Sequence, residues 1–437
     1  MKETLPLQIA LDQVRTLILA GGASSRFFPV NKIFADLTGS GRTMIQQSLD
    51  RVLQPLTEDG PWKSFMKADQ AYIVTGTDFA ATIRQQLAIP AGNVFVEPAR
   101  RNTWPAILWA MAHIRRQQPD ATVVMLTADH VIGEHQLFRQ FLAEAIAVAQ
   151  QKPAIVTFGI QPSDRPQEWT SFGAIRGQDQ APVAGTHAVA IERFEEKPEL
   201  DRAEQMIEAG RWTWNSGMFI FRISTAEKAM ADLQPSMFSD YQRLCEAVAS
   251  GDEEAAKARF EDLQGKIPHP LQEGAKADNS IDFAIMTPLT TGATSSVEAF
   301  VIPATFPWTD IGSWNAIREV VQSDENGNLC IGEVQADAVR DSTLVAETGK
   351  QIHAKQLQGV AVIHAANGWV MVAPEDEAAA IKPMVEAIRE QGEPPIMEWE
   401  SEHCQVEGGS GKVALFRQRN LNVVVRDQAV WVHPREA

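Results

Sequence analysis

The sequence contains few cysteines and lacks any apolar run of membrane-spanning length. Its three cysteines, Cys245, Cys330 and Cys404, lie far apart and without the spacing of metal ligands, so we interpret them as reduced thiols. The amino-terminal residues lack the basic segment and apolar core of a secretion signal. These absences favour a soluble cytoplasmic protein, and we expect no membrane partner.

Positive charge is also scarce. The 39 Lys and Arg residues are outnumbered by 56 Asp and Glu residues, which gives a formal net charge of -17 at pH 7. A protein that binds a nucleic-acid polymer needs clustered Lys and Arg to neutralise the phosphates, so we expect no nucleic-acid partner. The 437 residues are 44% hydrophobic and 22% charged, which is typical of a globular enzyme with more than one domain.

A glycine pair follows the first predicted strand. The apolar residues 17–20 run into Gly21-Gly22-Ala-Ser-Ser-Arg26. Glycines allow a close approach to the backbone, and hydroxyls, peptide N–H groups and the Arg26 cation suit a phosphate-rich ligand. Neither the dinucleotide fingerprint nor the Walker loop fits, because Ala23 breaks the first and no Lys-Ser or Lys-Thr pair follows. A plain glycine turn of an α/β protein is the alternative.

Further strands alternate with helical patterns along the first three quarters of the chain. The predicted strands include residues 71–75, 94–96, 121–127 and 154–159. This alternation predicts an α/β protein with a Rossmann-like mixed, mostly parallel sheet and flanking helices. Ligands are then expected at the carboxyl ends of the strands.

The character of the sequence changes near residue 323, where short turn-separated β segments begin. They predict a smaller β-rich C-terminal domain, for which a short left-handed β-helix is suggested, closed by a helix over 375–389. The predicted domains are 1–322 for catalysis, 323–390 for the β-rich domain and 391–437 for an extension without assigned role. We expect the C-terminal region to offer a surface for a homodimer.

Two acidic residues stand where a ligand site is expected. Asp129 directly follows the fourth predicted strand, and Asp310 lies in a turn rich in glycine and tryptophan. Two carboxylates together with phosphate oxygens would suit Mg²⁺, although Asp129 alone would equally suit a helix or turn cap. Lys197, next to Glu196, would hold a phosphate beside an acceptor for sugar hydroxyls, and a solvated charge run is the alternative.

Seven ordered segments together resemble the sugar-1-phosphate nucleotidyltransferases, and within them the mannose-1-phosphate guanylyltransferases. The family patterns are G-G-x-x-[ST]-R…P…K, E-P-x-x-R-N-T-A-P-A, L-P-[SA]-D-H, F-x-E-K-P, W-N-S-G-[MI]-F, S-I-D and W-x-D-[VI]-G-S-W. The matching residues are 21–26 with Pro29 and Lys32, then 97–106, 126–130, 194–198, 214–219, 280–282 and 308–314.

The resemblance implies a nucleotidyltransferase fold of the GT-A type and a reaction. A sugar-1-phosphate oxygen, with mannose-1-phosphate favoured, would attack the α-phosphorus of an NTP, with GTP favoured, and release pyrophosphate with Mg²⁺ as cofactor. The implied nucleotide-binding residues are Ala20, Gly21, Gly22, Ser24, Arg26, Glu97, Arg101, Asn102 and Thr103. The implied sugar-binding residues are Gly173, Glu196, Lys197 and Asn215. The implied metal ligands are Asp129 and Asp310, and the implied catalytic residues are Arg26, Lys32, Asp129, Lys197 and Asp310.

Three positions depart from the family pattern. The loop that leads to Lys32 is shorter than usual, Trp104 replaces a small residue near the expected base site, and Phe172 replaces a tyrosine beside Gly173. Other substrate pairs therefore stay open: UTP or GTP with glucose-1-phosphate or with a cyclitol phosphate. A catalytically silent regulatory protein on the same fold is the remaining alternative.

Overall fold

The computed structural model divides the chain into two compact units. It describes residues 9–22, 27–54, 66–263, 279–293, 295–312, 314–378, 380–409 and 411–435. Of these, the first unit holds the residues within Met1–Gly21, Ser48–Ala128 and Ile132–Trp308, and the second holds those within Gly22–Gln47, Asp129–Val131 and Thr309–Ala437. No helix of the described residues has the length and apolar character needed to cross a membrane.

The first unit is built on a sheet of nine strands. The strands up to the end of this unit are β1 (Val14–Leu19), β2 (Ala71–Thr75), β3 (Val94–Val96), β4 (Thr122–Thr127), β5 (Val131–Ile132), β6 (Ala154–Ile160), β7 (Gly173–Gly177), β8 (Val189–Glu196), β9 (Trp212–Arg222), β10 (Glu298–Ala304) and β11 (Trp308–Thr309). The sheet order is β3-β2-β1-β4-β9-β6-β10-β8-β7. Only β8 and β9 run opposite to the other strands of this sheet. The predicted mixed, mostly parallel sheet is confirmed.

Helices pack against this sheet. The α-helices of the chain are α1 (Met44–Leu53), α2 (Thr77–Gln86), α3 (Thr103–Gln117), α4 (His135–Gln151), α5 (Pro166–Trp169), α6 (Leu200–Ala209), α7 (Ile223–Leu233), α8 (Pro235–Ser250), α9 (Glu253–Asp262), α10 (Thr287–Thr290) and α11 (Lys382–Glu390). Short 3-10 helices cover Leu11–Gln13, Lys32–Phe34, Ala68–Gln70, Ala91–Asn93, Asn315–Glu319 and Glu375–Glu377, and a π-helix covers Asp282–Met286. Helix α3 packs on β1 and β2, and α4 packs on β4, β6, β9 and β10. Strands such as β2 and β6 are buried along their whole length, which explains their continuous apolar sequences.

The second unit contains two smaller sheets. Their strands are β12 (Leu329–Ile331), β13 (Glu333–Asp337), β14 (Thr343–Ala346), β15 (Gln351–Lys355), β16 (Val360–His364), β17 (Trp369–Pro374), β18 (Ile396–Trp399), β19 (Gln405–Gly408), β20 (Lys412–Phe416), β21 (Leu421–Arg426) and β22 (Ala429–Pro434). The sheet orders are β12-β14-β16-β17-β20-β18 and β13-β15-β22-β21-β19. From β12 to β16 successive strands alternate between the sheets and pair in parallel within each, as the turns of a β-helix do. The predicted β-rich C-terminal region is confirmed, and its left-handed winding stays a prediction.

The predicted continuous helix over 375–389 is wrong. The chain instead forms a short 3-10 helix, Glu375–Glu377, and then α11, which begins at Lys382. Pro383 explains the break, because proline lacks an N–H and is tolerated only in the first turn of a helix. Residues 396–434 supply β18 to β22 of the two small sheets. The predicted division at residues 322 and 390 stays a prediction.

Segments from both ends of the chain build the core of the second unit. Phe27 packs on Trp314 with ring centroids 5.0 Å apart, and Phe28 packs on Trp369 at 5.1 Å. The Asn367 side-chain amide donates a hydrogen bond to the carbonyl oxygen of Pro29 at 3.0 Å. Residues 27–29 are therefore anchored in the β-rich unit.

Candidate functional site

The carboxyl end of β1 is fixed by its neighbour β2. The Ala20 N–H donates to the carbonyl oxygen of Val74 at 2.9 Å, and the Thr75 hydroxyl donates to the carbonyl oxygen of Ala20 at 2.8 Å. Both backbone groups of Ala20 are thereby held just before Gly21 and Gly22. The glycine pair starts from a rigid base, as a loop that approaches a ligand requires.

Glu97 lies beside the glycine pair with its carboxylate largely removed from water. The residue is only 7% exposed, and a Cβ placed on Gly21 would lie 3.1 Å from Glu97 Oε1. Burial raises the pKa of Glu97, and the charge of Arg100 offsets part of that rise. No residue in the described part of the chain donates a hydrogen bond to this carboxylate. Such a group needs a donor from elsewhere.

Asn102 and Thr103 shape the start of α3 from the same loop. Asn102 has a positive φ of 71°, and its side-chain oxygen accepts a hydrogen bond from the Thr103 N–H at 2.7 Å. The Thr103 hydroxyl accepts from the Ile281 N–H at 3.1 Å. Arg101 is half-buried in this loop. Trp104, in contrast, is completely buried in the core of the first unit, so its bulk points away from any solvent-facing pocket.

Three of the residues predicted for the sugar site meet at Gly173. A Cβ there would lie 2.6 Å from Glu196 Oε2 and 3.3 Å from the Asn215 Cβ. Only glycine fits at this position, because any side chain would collide with Glu196 and Phe194. The Lys197 ammonium lies 3.0 Å from Glu196 Oε1, with 57% of its side chain exposed. Lys197 is therefore available to a solvent-borne anion while it remains beside Glu196.

Aromatic rings surround this position. Phe172 packs on Trp214 with ring centroids 4.7 Å apart and on Trp308 at 5.6 Å, and Trp169 meets Trp214 at 6.0 Å. Phe172 therefore fills a place in a ring cluster, which explains why a tyrosine hydroxyl is dispensable there. The cluster presents apolar surface next to the polar groups at Gly173, as sites for sugars commonly do.

Asn215 is held by a network that the sequence analysis did not identify. Its Nδ2 donates to Asp282 Oδ1 at 2.8 Å, and its Oδ1 accepts from the Thr157 hydroxyl at 3.0 Å and from the Gly217 N–H at 3.3 Å. Asn215 is 7% exposed and Thr157 is fully buried. The available sequence signal was a lone hydroxyl residue, Thr157, within the otherwise apolar run of β6.

The second unit brings Lys32, Asp129 and Asp310 together. The Lys32 ammonium, 5% exposed, donates to Asp129 Oδ2 at 3.1 Å and to the backbone carbonyl oxygen of Asp310. The Asp129 side chain is 40% exposed. Desolvation raises the pKa of Asp129, but the charges of Lys32 and His130 outweigh it and lower the pKa below its ordinary value. His130 is buried, with Nε2 3.9 Å from Asp129 Oδ1.

The oxygen atoms around Lys32 are compatible with a divalent cation. The Lys32 ammonium reaches a carboxylate oxygen of Asp129 and the backbone carbonyl oxygen of Asp310, so oxygen atoms of both residues lie around one position. Carboxylate and carbonyl oxygens are the ligands that hard divalent cations prefer. Among the described residues no group of three or more His, Cys, Asp or Glu side chains is arranged to hold a metal. The remaining ligands of a cation would have to come from a substrate or from water.

Two predicted residues of the glycine loop, Ser24 and Arg26, lie outside the described residues. Gly22 is described, and a Cβ placed on it would meet no described atom within 4 Å. A separate cavity of about 470 Å³ lies along β3, α3, α8 and α9. None of the predicted site residues lines that cavity.

Comparison with known proteins identifies the family. The sequence matches the model of a family described as nucleotidyl transferase over residues 15–327. It is 30% identical over 385 residues to the alginate biosynthesis protein AlgA of Pseudomonas putida, covering 86% of this chain and 72% of that protein. It is 28% identical over 399 residues to the mannose-1-phosphate guanylyltransferase of Escherichia coli, covering 88% and 75%.

The fold has a counterpart among solved structures. A protein of Thermus thermophilus, described as a mannose-1-phosphate geranyltransferase, aligns with a TM-score of 0.66 at 21% identity. The alignment covers 86% of this chain and 99% of that one. The stretch matched by the family model contains every candidate residue from Ala20 to Asp310.

Proposed function

Because this chain belongs to the nucleotidyl transferase family, we propose that it transfers a guanylyl group from GTP to mannose-1-phosphate. A phosphate oxygen of the sugar phosphate attacks the α-phosphorus of GTP, and a new P–O bond forms. The bond between the α-phosphorus and the bridging oxygen breaks, and pyrophosphate leaves. The attacking oxygen is already anionic, so the reaction needs positioned substrates and neutralised charge rather than a protein base.

The proposal of GTP as the nucleotide is based on the buried carboxylate of Glu97. It is an acceptor without a donor among the described residues, and it lies beside Gly21 at the end of β1. Guanine offers two adjacent donors, N1–H and the N2 amino group, which match the two oxygens of one carboxylate. The Watson–Crick edges of adenine, cytosine and uracil each offer a single donor group next to acceptors. Glu97 would therefore favour guanine. With any of the other bases, an acceptor atom of the base would face the carboxylate and be repelled by it.

The choice of mannose-1-phosphate rests on a relative with that substrate in its name, the guanylyltransferase of Escherichia coli. Gly173, Glu196 and Asn215 would form the polar wall of the sugar site, and the Lys197 ammonium would hold the sugar phosphate. Lysine suits that task because it presents a compact charge on a long stem.

The triphosphate would be neutralised by lysine and by a metal. Members of this family generally use a divalent metal, and we propose Mg²⁺, held by Asp129 and Asp310. Bound there, Mg²⁺ would offset the phosphate charge that builds up in the transition state. Lys32 already lies between oxygens of these two residues, where it would balance their charge and contact phosphate. Arg26 would contribute a further cation from the glycine loop.

A matrix of nucleotides and sugar phosphates tests the proposal. Purified protein with MgCl₂ is incubated with GTP, UTP, ATP or dTTP and with mannose-1-phosphate or glucose-1-phosphate, and pyrophosphate release is measured. We expect GTP with mannose-1-phosphate to give the highest kcat/KM. Pyrophosphate release from no pair would refute the transfer reaction, and a higher kcat/KM for UTP would refute the assignment of the base.

The variant Glu97→Gln tests the base contact. Glutamine presents one acceptor and one donor, which matches uracil or thymine better than guanine. We expect kcat/KM for GTP to fall by about 100-fold, because a charge-assisted pair of hydrogen bonds is lost, and the preference to move toward UTP or dTTP. Glu347→Gln is the control, since burial also raises the pKa of Glu347 but the residue lies in the β-rich unit. An unchanged GTP preference in Glu97→Gln would contradict the proposed contact.

A further inference from the structure

The Asn215 side chain is held in one orientation by groups whose hydrogen-bonding roles are fixed. The Gly217 N–H only donates, so the atom of Asn215 that faces it must be the acceptor Oδ1. The atom that faces the carboxylate of Asp282 must then be the donor Nδ2, and their separation of 2.8 Å agrees. The two contacts demand the same orientation, so the amide cannot turn over without losing both.

We propose that Asp282 is a positioning residue that sets the polarity of the sugar site. With Nδ2 turned toward Asp282, one of its two N–H groups is used and the other has no acceptor among the described residues. Asn215 Oδ1 accepts from the Gly217 N–H at 3.3 Å, and the Thr157 hydroxyl lies 3.0 Å from it, so this oxygen is turned toward the protein rather than toward a ligand. Asn215 therefore offers the ligand a donor and no acceptor.

Glu196 supplies the opposite role across the same space. Its Oε2 would lie 2.6 Å from a Cβ on Gly173, and the Asn215 Cβ lies 3.3 Å from that point. These distances make the two side chains neighbours, and a ligand group that contacts both would accept from the Asn215 N–H and donate to the Glu196 carboxylate. A hydroxyl group does both with one oxygen atom, whereas an ether oxygen, a carbonyl or a methyl group fails one of the two partners. The site thereby selects one ring hydroxyl of the sugar.

This inference rests on the proposed function, and its test separates the two. The wild type is first assayed in the nucleotide and sugar-phosphate matrix, and the active sugar phosphate is used in all later steps. The variant Asp282→Asn keeps the size of the side chain but removes the carboxylate that demands a donor. We expect KM for the sugar phosphate to rise about tenfold, and KM for the nucleotide to stay unchanged, because only sugar binding uses the Asn215 N–H.

Monodeoxy analogues of the active sugar phosphate give the decisive readout. Each lacks one ring hydroxyl, and KM is measured for each with wild type and with Asp282→Asn. For one analogue we expect the two proteins to have equal KM, because the hydroxyl that Asn215 and Glu196 bind is already missing. For the other analogues the tenfold difference should persist. A general loosening of the fold would raise KM for all analogues alike.

Two further variants complete the experiment. Asp232→Asn is the matched control, because the Asp232 carboxylate also accepts several hydrogen bonds but its partners, Lys228, Ser295 and Ser296, belong to no candidate site. It should leave both KM values unchanged. Thr157→Val should raise KM for the sugar phosphate less than Asp282→Asn does, because the Thr157 hydroxyl also lies 2.8 Å from the Met218 carbonyl oxygen and does not serve Asn215 alone. Thr157→Ser keeps the hydroxyl and should restore the wild-type KM. Equal KM values for wild type and Asp282→Asn, or a uniform rise over every deoxy analogue, would overturn the inference while the transfer reaction itself stood.

Discussion

Glu97 combines two properties that rarely occur together in one side chain: it is 7% exposed, and it lacks a hydrogen-bond donor within the described residues. Its burial raises the pKa, with the Arg100 charge acting in the opposite direction. A buried charge without a partner destabilises a fold. The residue is therefore kept at a cost to stability that a bound base would remove.

The destabilisation caused by the buried Glu97 carboxylate depends on pH. Because the folded protein binds the proton of Glu97 more tightly than the unfolded chain, its contribution to stability is largest below the unfolded pKa of about 4.3. That contribution is lost as the pH rises through the raised pKa. We expect Glu97→Gln, measured without nucleotide, to raise the melting temperature by about 2 °C at pH 7.5, and to raise it less as the pH approaches 4.5. A constant difference across this pH range would contradict the assignment.

Asp129 differs from Glu97 because its charge has partners and 40% of its side chain is exposed. We expect Asp129→Asn to lower kcat by about 100-fold, as the loss of one electrostatic stabiliser of a transition state commonly does. The melting temperature should fall as well, because the Lys32 side chain is only 6% exposed and loses its carboxylate partner.

Asp120→Asn provides the comparison for this variant. Its side chain is 43% exposed and pairs at 2.9 Å with Arg222, which is 38% exposed, so this variant loses an exposed ion pair away from the candidate site. It should keep wild-type kcat. Wild-type turnover in Asp129→Asn would remove Asp129 from the proposed metal site.

The residues proposed for the sugar site could be predicted from the sequence, but the hydrogen bonds that hold Asn215 in place could not. Glu196 and Asn215 stand in family motifs, Gly173 was predicted from the resemblance next to Phe172, and the structure brings the three together. Their roles in binding stay a prediction. The links from Asn215 to Thr157 and Asp282 join residues 58 and 67 positions apart. Such links depend on strand register, which no local pattern in a single sequence specifies.

At the scale of elements, an irregularity between β6 and β9 places Asn215. The pairing shifts between Thr157 and Gly159, so that Gly159 stands opposite Asn215. A Cβ on Gly159 would lie 2.8 Å from Val301 Cγ2 and 2.9 Å from Thr213 Cβ. Glycine is therefore required where three neighbouring strands approach closely.

We expect Gly159→Ala to lower the melting temperature by at least about 5 °C, because overpacking within a central sheet costs roughly 1–3 kcal/mol and displaces β9. The KM for the sugar phosphate should rise with it, since Asn215 moves with that strand. Gly92→Ala serves as the control, because a Cβ on Gly92 would meet no described atom within 4 Å and its φ is not positive. Equal melting temperatures for the two variants would show that the strands can separate without cost.

Elements were predictable where burial was uniform. The strand over 94–96 matches β3, and the predicted strand over 154–159 lies within β6, because both are continuous apolar runs in a covered sheet. The prediction of a continuous helix over 375–389 failed because Pro383 is tolerated only in the first turn of a helix, so a new helix begins at Lys382. Hydrophobic periodicity indicates which face of a helix is buried. It does not indicate where the helix must begin or end.

At the scale of the whole molecule, the last segment of the chain is an integral part of the β-rich unit. Strand β20 lies between β17 and β18, and β22 lies between β15 and β21. Val413, Leu415, Val423, Val430 and Val432 are all completely buried in the core cluster of these strands. Their partners are distant in sequence, which is why the sequence alone left residues 391–437 without a role.

Removal of residues 391–437 should therefore unfold the β-rich unit. It would expose the edges of β15 and β17 and the apolar side chains that face the missing strands. We expect the truncated chain to be recovered mainly in the insoluble fraction, or to melt more than about 10 °C below wild type. A truncated protein with the melting temperature and pyrophosphate release of wild type would contradict this expectation.

The predicted enzyme class is confirmed by membership of the nucleotidyl transferase family, as is the resemblance to mannose-1-phosphate guanylyltransferases. The family was predictable because its short sequence motifs occur in a fixed order along the chain. The order of strands in the sheets was not predictable, since it is set by pairings between distant segments.

The packing of Phe27 against Trp314 and of Phe28 against Trp369 has a consequence for synthesis on the ribosome. The segment after the glycine pair emerges early, yet its aromatic partners are translated roughly three hundred residues later, after at least about 15 seconds at common elongation rates. During that interval the two phenylalanine rings lack their tryptophan partners, although Val30, Leu37 and Met44 of the same core are already present. The core of the second unit can therefore close only after its last aromatic residues have been translated.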